Sequence, residues 1–220
     1  MANPPRVKAV LIDFDQTLVD LPVDWDTLRS DISRLLGNYG VREPVHALHP
    51  GLEGALAKLK ARGVSPAGRA AVRRKVNALL TVAEDAAAPG ATPFPGSRDF
   101  IESLRACGVK VIIQSSNSVG VIHDVLAHLA FPRVDAIVGR ESARRTKPDP
   151  QAVRAVLRRL GLRGDECVVI GDGDFDVQLG RAIGATTIRT KPGRLPGDYN
   201  VGSLSEALRI LWLSPEGVAV

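Results

Sequence analysis

Aromatic side chains are scarce in this sequence, and the scarcity limits what the protein can bind. Phe, Trp and Tyr make up only 4% of the 220 residues, although the net charge is +5. Proteins that bind single-stranded nucleic acid combine basic grooves with aromatic side chains that stack on bases. The densest basic cluster here is only RRK at 73–75. We therefore expect no nucleic-acid partner, and we expect the positive charge to lie on a solvated face or to favour small anionic molecules.

Cysteine and long apolar runs are also scarce. The two cysteines, Cys107 and Cys167, each adjoin an apolar run, so we interpret both as small buried side chains in a reducing compartment rather than as a disulfide. No apolar run approaches the roughly 18 residues of a membrane-spanning helix. Asp13 and Asp15 interrupt the only apolar stretch near the N-terminus, so the sequence indicates no signal peptide. Together these absences predict a cytoplasmic protein without a membrane partner.

The hydrophobic pattern predicts an α/β fold. A nearly continuous apolar run at 7–12 is typical of a buried parallel strand. From about residue 97 onward, helical and strand-like segments alternate. The helical segments are 97–107, 118–129, 150–160, 175–183 and 203–213, and the strand-like segments are 109–114, 134–138, 167–172 and 185–190. Such alternation predicts a Rossmann-like parallel sheet with helices on both faces.

Residues 21–92 interrupt this alternation. They contain several helical segments, with loops at GNYG and PAG, and no convincing strand. The Pro/Gly-rich segment APGATPFPG then leads back to the sheet. The sequence therefore predicts an α/β core made of residues 1–20 and 93–220, with a small helical domain of residues 21–92 inserted after the first strand. APGATPFPG and VDLPVDW would act as hinges.

Polar side chains follow four of the predicted strands, at the sheet edge where open parallel sheets bind ligands. They are Asp13 and Asp15 after the first strand, Ser115, Ser116 and Asn117 after the second, Lys147 after the third, and Asp172, Asp174 and Asp176 after the fourth. Taken singly, such residues are usually turn or helix-cap residues. Their joint occurrence would suit a hard divalent cation with a phosphate held against it.

The segment GDGDFD at 171–176 has two competing interpretations, and we reject both. Its acids are spaced like the start of a calcium-binding loop, but Val177 and Ile183 occupy the positions where that loop needs Gly and Glu. Its glycines nearly match a dinucleotide-binding fingerprint, but the neighbouring acids would repel a pyrophosphate.

The four segments together resemble the motifs of the haloacid dehalogenase-like superfamily, whose members are mostly phosphatases. DFDQT resembles the first motif, VIIQSSN the second, KP at 147–148 the third and GDGDFD the fourth. A helical insertion between the first two motifs resembles the C1-type cap of that superfamily. The resemblance implies a magnesium-dependent phosphatase that hydrolyses a small phosphorylated metabolite through an aspartyl-phosphate.

The resemblance also implies residue roles. Asp13 would be the nucleophile, and Asp15 would be the general acid and then the base. The catalytic set would be Asp13, Asp15, Ser115 and Lys147; Thr17, Ser116 and Asn117 would contact substrate; and Asp13, Asp172, Asp176 and the backbone carbonyl of Asp15 would hold Mg²⁺. Ser116 is the alternative to Ser115 for the phosphoryl contact. Gln16 departs from the glycine that is commoner in the superfamily, and Gly173 departs from a small polar residue.

Other functions stay open at this point. A phosphosugar mutase of the same superfamily is the alternative enzyme, and a non-catalytic binding protein that keeps the fold is the alternative of another class. A dehalogenase is disfavoured, because it needs neither Asp15 nor magnesium. The residues that could reach a substrate from the inserted domain are His46, His49, Arg69, Arg73 and Arg74, although ordinary surface positions are the favoured interpretation. We expect a monomer or a small homo-oligomer.

Overall fold

The computed structural model describes residues 7–42, 48–142 and 147–213. The strands in these ranges are β1 (Ala9–Ile12), β2 (Val19–Asp20), β3 (Thr92–Pro93), β4 (Lys110–Gln114), β5 (Ala136–Val138), β6 (Cys167–Gly171), β7 (Thr186–Arg189) and β8 (Tyr199–Asn200). The α-helices are α1 (Trp25–Gly37), α2 (Leu48–Ala61), α3 (Pro66–Ala87), α4 (Ser97–Ala106), α5 (Val119–His128), α6 (Gln151–Arg159), α7 (Asp174–Ile183) and α8 (Leu204–Leu213).

Six strands form one sheet in the order β5-β4-β1-β6-β7-β8, and every neighbouring pair is parallel. The central strand β1 pairs in register with 110–113 of β4 and with 167–170 of β6. All four of its residues are 0% exposed, as expected for a strand that is covered on both faces. This order places the carboxyl ends of β4, β1 and β6 side by side.

Both faces of the sheet are buried. On one face Leu11, Ile112 and Val169 belong to a single apolar cluster with Leu157 of α6 and Leu179 of α7. The residues on either side of these three strand positions point to the opposite face. All six are apolar and at most 3% exposed: Val10, Ile12, Val111, Ile113, Val168 and Ile170. The helix α4 packs against β4 and α8. The structure therefore confirms the predicted α/β fold.

The predicted strands and helices of the core are observed, with bounds that differ by no more than two residues from those expected. Three two-residue strands were not predicted. β2 pairs with β3 in an antiparallel ladder, and β8 extends the sheet beside β7. The prediction of no strand in 21–92 was wrong at Thr92, where β3 begins. A strand of two residues is too short to show alternation, and a proline within it favours a loop interpretation.

The chain forms two compact units, one of residues Met1–Leu21 and Ala91–Val220 and the other of residues Pro22–Gly90. In the second unit, α1 and α2 both pack against α3. Ser65 caps α3 by accepting a hydrogen bond from the amide of Gly68, and Pro66 occupies its first turn. The predicted inserted domain contains this second unit, whose role as a cap stays a prediction. Within the described ranges, no helix combines the length and apolar character needed to span a bilayer.

The two cysteines differ in burial. Cys167 on β6 is buried as predicted, and burial raises the pKa of its thiol to about 12. The prediction was wrong for Cys107, which is half-buried because it follows the last turn of α4, where the chain turns at Gly108. Both thiols are free.

Gly180 on α7 faces residues of β6 and β7 at close range, and we predict that Gly180→Ala is destabilising. A Cβ there would lie 2.3 Å from Cγ2 of Thr187 and 3.3 Å from Cβ of Val169. Alanine favours a helix by about 1 kcal/mol over glycine, but we expect overpacking to outweigh this gain and to lower the free energy of unfolding by about 1–3 kcal/mol.

Urea unfolding of Gly180→Ala and of Gly120→Ala measures this effect. Gly120→Ala on α5 is the matched control, because its Cβ would meet only Oγ of Ser118 at 3.8 Å. Equal unfolding midpoints for the two variants would show that α7 can move away from the sheet without cost.

Candidate active site

Three carboxylates meet at the carboxyl ends of β1 and β6. Asp13 follows β1, Asp172 follows β6, and Asp176 lies in the first turn of α7. One oxygen of each lies within 4.8 Å of the others. The side chains of these three predicted metal ligands are therefore together, whereas the carboxylate of Asp15 is outside this cluster. We refer to Asp13, Asp172 and Asp176 as the acidic cluster.

Lys147 offsets part of the negative charge of the acidic cluster. Its Nζ lies 2.7 Å from Oδ1 of Asp13 and 2.8 Å from Oδ1 of Asp176. Burial alone would lower the pKa of Lys147, but the charges of Asp13 and Asp176 outweigh burial and raise the pKa above its usual value. One ammonium against three carboxylates leaves the cluster able to accept a further cation.

The carboxylate of Asp13 is held through one oxygen only. Oδ1 accepts hydrogen bonds from the amide of Phe14, at 2.8 Å, and from Lys147. Among the residues that the structure describes, none donates a hydrogen bond to Oδ2. Burial raises the pKa of Asp13 to about 7, against the lowering effect of Lys147. Oδ2 is therefore the oxygen available for a cation or for nucleophilic attack.

Asp176 is held through both of its oxygens. Oδ1 accepts from Nε2 of Gln114 at 2.7 Å and from Lys147, and Oδ2 accepts from the amide of Gly173 at 3.0 Å. These contacts favour a water-mediated rather than a direct contact between Asp176 and a metal. Gln114 is 0% exposed and was not predicted as a site residue. The signal that could have identified it is a polar side chain at the end of the otherwise apolar run VII in β4.

Asp15 lies in a different setting from the acidic cluster. Its Oδ1 accepts from the amide of Leu21 at 3.1 Å and from Nε2 of Gln16 at 3.5 Å. Burial raises the pKa of Asp15 to about 6. A carboxyl group with such a pKa can both give and take a proton near neutral pH. This property suits the predicted role of Asp15 as general acid and then base.

The conformation of Gln16 explains why glycine is common at its position. Its φ of 65° lies in the left-handed region, which costs a non-glycine residue about 1–2 kcal/mol. The side chain makes compensating contacts: Nε2 donates to Oδ1 of Asp20 at 2.5 Å, and Oε1 accepts from Nζ of Lys191 at 2.8 Å. Gln16 thus shapes the turn that follows Asp15.

The predicted phosphoryl-binding residues form a local network after β4. Oγ of Ser115 donates to Oδ1 of Asn117 at 2.7 Å and accepts from the Asn117 amide at 3.2 Å. Ser115 and Asn117 are buried, whereas Ser116 is half-buried. Both serines stay candidates for the phosphoryl contact. Thr17 is also buried, and its hydroxyl has no hydrogen-bond partner in the described part of the chain.

Some polar residues of the inserted domain were predicted as possible substrate contacts. Those that the structure describes make contacts typical of surface residues. Arg73 pairs with Glu53 at 2.7 Å, Nη1 of Arg69 donates to the carbonyl of Val64, and Arg74 is exposed. His46 and the side chain of His49 lie outside the described residues. Contact of any of these residues with a substrate stays a prediction.

Comparison with known proteins connects this geometry to a family. Residues 10–190 match the family of haloacid dehalogenase-like hydrolases. The chain belongs to this family. It is 31% identical over 196 residues to the phosphoglycolate phosphatase of Rhodospirillum rubrum, across 82% of this chain and 78% of that protein. It is 26% identical over 192 residues to the fructose-1-phosphate phosphatase of Escherichia coli, across 83% and 96% of the two chains.

A solved structure supports the fold independently. The haloacid dehalogenase-like phosphatase of Thermococcus onnurineus superposes with a TM-score of 0.62 at 20% identity, over 96% of this chain and all of that chain (100%). The matched family segment extends from β1 to just past β7 and so contains all four motifs. The comparisons confirm the predicted superfamily, and the protein is a haloacid dehalogenase-like hydrolase of the phosphatase type.

The acidic cluster fits a divalent cation. Its ligand atoms are all carboxylate oxygens, which hard cations prefer. Burial, together with the charge of Asp176, raises the pKa values of Asp13 and Asp172, so a cation between these carboxylates would relieve their repulsion. Asp13 and Asp172 would be direct ligands, with Asp176 contacting the ion through water.

We predict that the metal-free protein is less stable at about pH 8 than at about pH 5. An acid whose pKa is raised on folding binds more protons in the folded state, so stability falls as pH rises from its usual pKa through its folded pKa. For Asp15 this window extends from 3.8 to about 6, and for Asp13 from 3.8 to about 7. Four acids have lowered pKa values, so their contribution to stability is lost only as pH falls below about 5, outside the interval compared: Asp24, Asp165, Glu166 and Asp174.

Melting temperatures in excess chelator at the two pH values measure the effect. Asp15→Asn, which cannot titrate at this position, should lose less stability between them than the unmodified protein. Added Mg²⁺ should raise the melting temperature most at the higher pH, where the carboxylates are ionised. An identical pH dependence in Asp15→Asn would show that Asp15 does not contribute.

Proposed function

We propose that the protein is a magnesium-dependent phosphomonoesterase that transfers the phosphoryl group of a small phosphorylated metabolite to Asp13 and then to water. The observation that carries this proposal is the carboxylate of Asp13, held by Phe14 and Lys147 through Oδ1 while Oδ2 is open beside the acidic cluster. The names of the two curated relatives, a phosphoglycolate phosphatase and a fructose-1-phosphate phosphatase, support a small phosphorylated substrate.

In the first step, Oδ2 of Asp13 attacks phosphorus and the bond between phosphorus and the leaving oxygen breaks. Asp15 gives its proton to that oxygen, so the product leaves as a neutral alcohol. The raised pKa of Asp15, about 6, keeps part of this carboxyl protonated near neutral pH. The phosphoryl group is then bound to Asp13 as an acyl phosphate.

In the second step, water attacks the phosphorus of the aspartyl-phosphate. Asp15, now ionised, accepts the proton of that water, and the bond between phosphorus and Oδ2 of Asp13 breaks. Inorganic phosphate leaves, and both carboxyl groups return to their starting states. Dividing the hydrolysis in this way replaces one difficult displacement by two easier ones.

The remaining residues stabilise charge and position the phosphoryl group. Lys147, which already lies against Asp13, would offset the negative charge that develops on the phosphoryl oxygens. Ser115 or Ser116 would donate a hydrogen bond to these oxygens. Magnesium, held by Asp13, Asp172 and the carbonyl of Asp15, with Asp176 through water, would supply further positive charge.

The first functional prediction concerns Asp13→Asn. We expect kcat for any phosphomonoester substrate to fall at least about 10³-fold, because an amide cannot form the acyl phosphate. Phosphate release measures kcat, and circular dichroism checks the fold. Asp165→Asn is the matched control, since Asp165 is exposed, pairs with Arg163 and precedes the amino end of β6, whereas the acidic cluster lies at the carboxyl end. Near-normal turnover by a folded Asp13→Asn protein would overturn the mechanism.

The second functional prediction concerns the metal. Excess chelator should abolish phosphate release, and added Mg²⁺ should restore it. Asp172→Asn should raise the Mg²⁺ concentration that gives half-maximal activity by about 10-fold or more, because even indirect metal contacts contribute that much to affinity. Asp165→Asn should respond to Mg²⁺ as the unmodified protein does. Undiminished activity in chelator would contradict metal dependence.

A further inference from the structure

A cavity lies in the α/β unit, and Lys191 in its lining lies 3.7 Å from Oδ2 of Asp172 in the acidic cluster. Its volume is about 270 Å³, and its lining includes Gln16, Thr17, Phe94, Thr190, Lys191 and Ser203. Among the lining residues that the structure describes, Lys191 is the one charged side chain, and no carboxylate is present. The cavity therefore offers a positive charge to a ligand.

Lys191 retains hydrogen-bonding capacity for such a ligand. Its Nζ donates to Oε1 of Gln16 at 2.8 Å and lies 5.5 Å from the ring centre of Phe94. Oδ2 of Asp172, at 3.7 Å, is close enough for an ion pair but too distant for a hydrogen bond. An ammonium group has three N–H donors, and the Lys191 side chain is 42% exposed. A ligand in the cavity can therefore accept a hydrogen bond from it.

The loop that carries Lys191 is held in place by a buried arginine. Arg189, the last residue of β7, is 4% exposed and donates to the carbonyl oxygens of Lys191 at 2.5 Å and of Leu195 at 2.6 Å. A Cβ at Gly193 would lie 1.7 Å from Nη2 of Arg189, so the loop closes tightly around the guanidinium. The position of Lys191 is thus set by contacts with the sheet.

Two hydroxyl groups of the lining lack hydrogen-bond partners. They are Oγ1 of Thr17 and Oγ1 of Thr190, both buried and without a partner in the described ranges. Thr17 is only 4% exposed. Buried hydroxyls are normally satisfied, so orphaned ones in the wall of a cavity indicate a bound ligand or ordered water. Their position in this cavity supports a ligand with acceptor oxygens.

We propose that this cavity binds a carboxylate on the leaving group, so that the enzyme prefers phosphorylated short hydroxy acids. The inference rests on the proposed phosphatase function. An acceptor hydrogen-bonded to Lys191 lies about 3 Å from Nζ, and Nζ lies 3.7 Å from Asp172 in the acidic cluster. One oxygen of Asp172 lies within 4.8 Å of an oxygen of Asp13, so Lys191 is close enough to the proposed nucleophile for a leaving group of two or three carbons. A neutral polyol could use the same donors, but a hydroxyl forms a weaker hydrogen bond with an ammonium group than a carboxylate does.

The test compares two esters of equal length. In 2-phosphoglycolate the second carbon is a carboxylate, and in 2-hydroxyethyl phosphate it carries a neutral hydroxyl. We expect kcat/KM to be at least about 10-fold higher for the carboxylate ester, as for one charge-assisted hydrogen bond. Lys191→Met should lower the ratio of the two kcat/KM values by about 10-fold or more, mainly by raising KM for 2-phosphoglycolate. Lys191→Arg, which keeps the charge, should retain most of it.

Lys110→Met is the matched control, because Lys110 is 41% exposed but lies at the amino end of β4, away from the cavity. For Lys110→Met, the ratio of kcat/KM between the two esters should equal that of the unmodified protein. If Lys191 only offsets the charge of Asp172, Lys191→Met will weaken both esters equally, and that result overturns the proposal.

The unmodified protein tests the inference even if Lys191→Met does not fold. Equal kcat/KM for the two esters, or faster hydrolysis of a polyol phosphate such as sorbitol 6-phosphate, overturns the carboxylate preference and leaves the phosphatase function intact. Failure to release phosphate from all three esters with Mg²⁺ present overturns both.

Discussion

The arrangement of the site depends on one buried ammonium group. Lys147 lies 2.7 Å from Asp13 and 2.8 Å from Asp176, two carboxylates that reach the site from β1 and α7. Without this positive charge, burial and mutual repulsion would favour protonation of the acids and spread them apart. With it, Asp13 is held through Oδ1, and Oδ2 accepts no hydrogen bond from the residues that the structure describes. The residual negative charge is what makes the cluster selective for a cation.

Steric contacts hold the same arrangement from the other side. A Cβ at Gly171 would lie 2.2 Å from Cγ of Asp176, so the side chain of Asp176 rests on the backbone at the end of β6. Gln114 fixes its Oδ1 from β4, and Gly173 fixes its Oδ2 from the turn before α7. Contacts from β4, from the end of β6 and from the turn before α7 thus fix the position of the Asp176 carboxylate. Through its contact with Lys147, Asp176 would position that ammonium group and with it the proposed nucleophile Asp13.

The sequence predicted the motif residues better than their partners. Asp13, Asp172 and Asp176 could be placed together because each follows a strongly apolar parallel strand, and strand ends of this kind share a sheet edge. Gln114 and Lys191 escaped prediction, because their roles depend on which distant residue each side chain meets. The short strands β2, β3 and β8 escaped it because two residues carry no periodic signal. A local sequence pattern indicates which residues are buried and where a strand or helix ends. Which side chains pair between different elements depends on the folded structure.

Gln16 connects the proposed acid with the proposed specificity cavity. A glycine would adopt its left-handed conformation at lower cost, but it would lose the contacts to Asp20 and Lys191. Strained residues persist where surrounding contacts over-determine them, and such residues cluster at functional sites. Gln16 follows Asp15 directly and accepts a hydrogen bond from Lys191. The group that would protonate the leaving oxygen and the group that would bind the rest of the leaving group are therefore positioned by the same side chain.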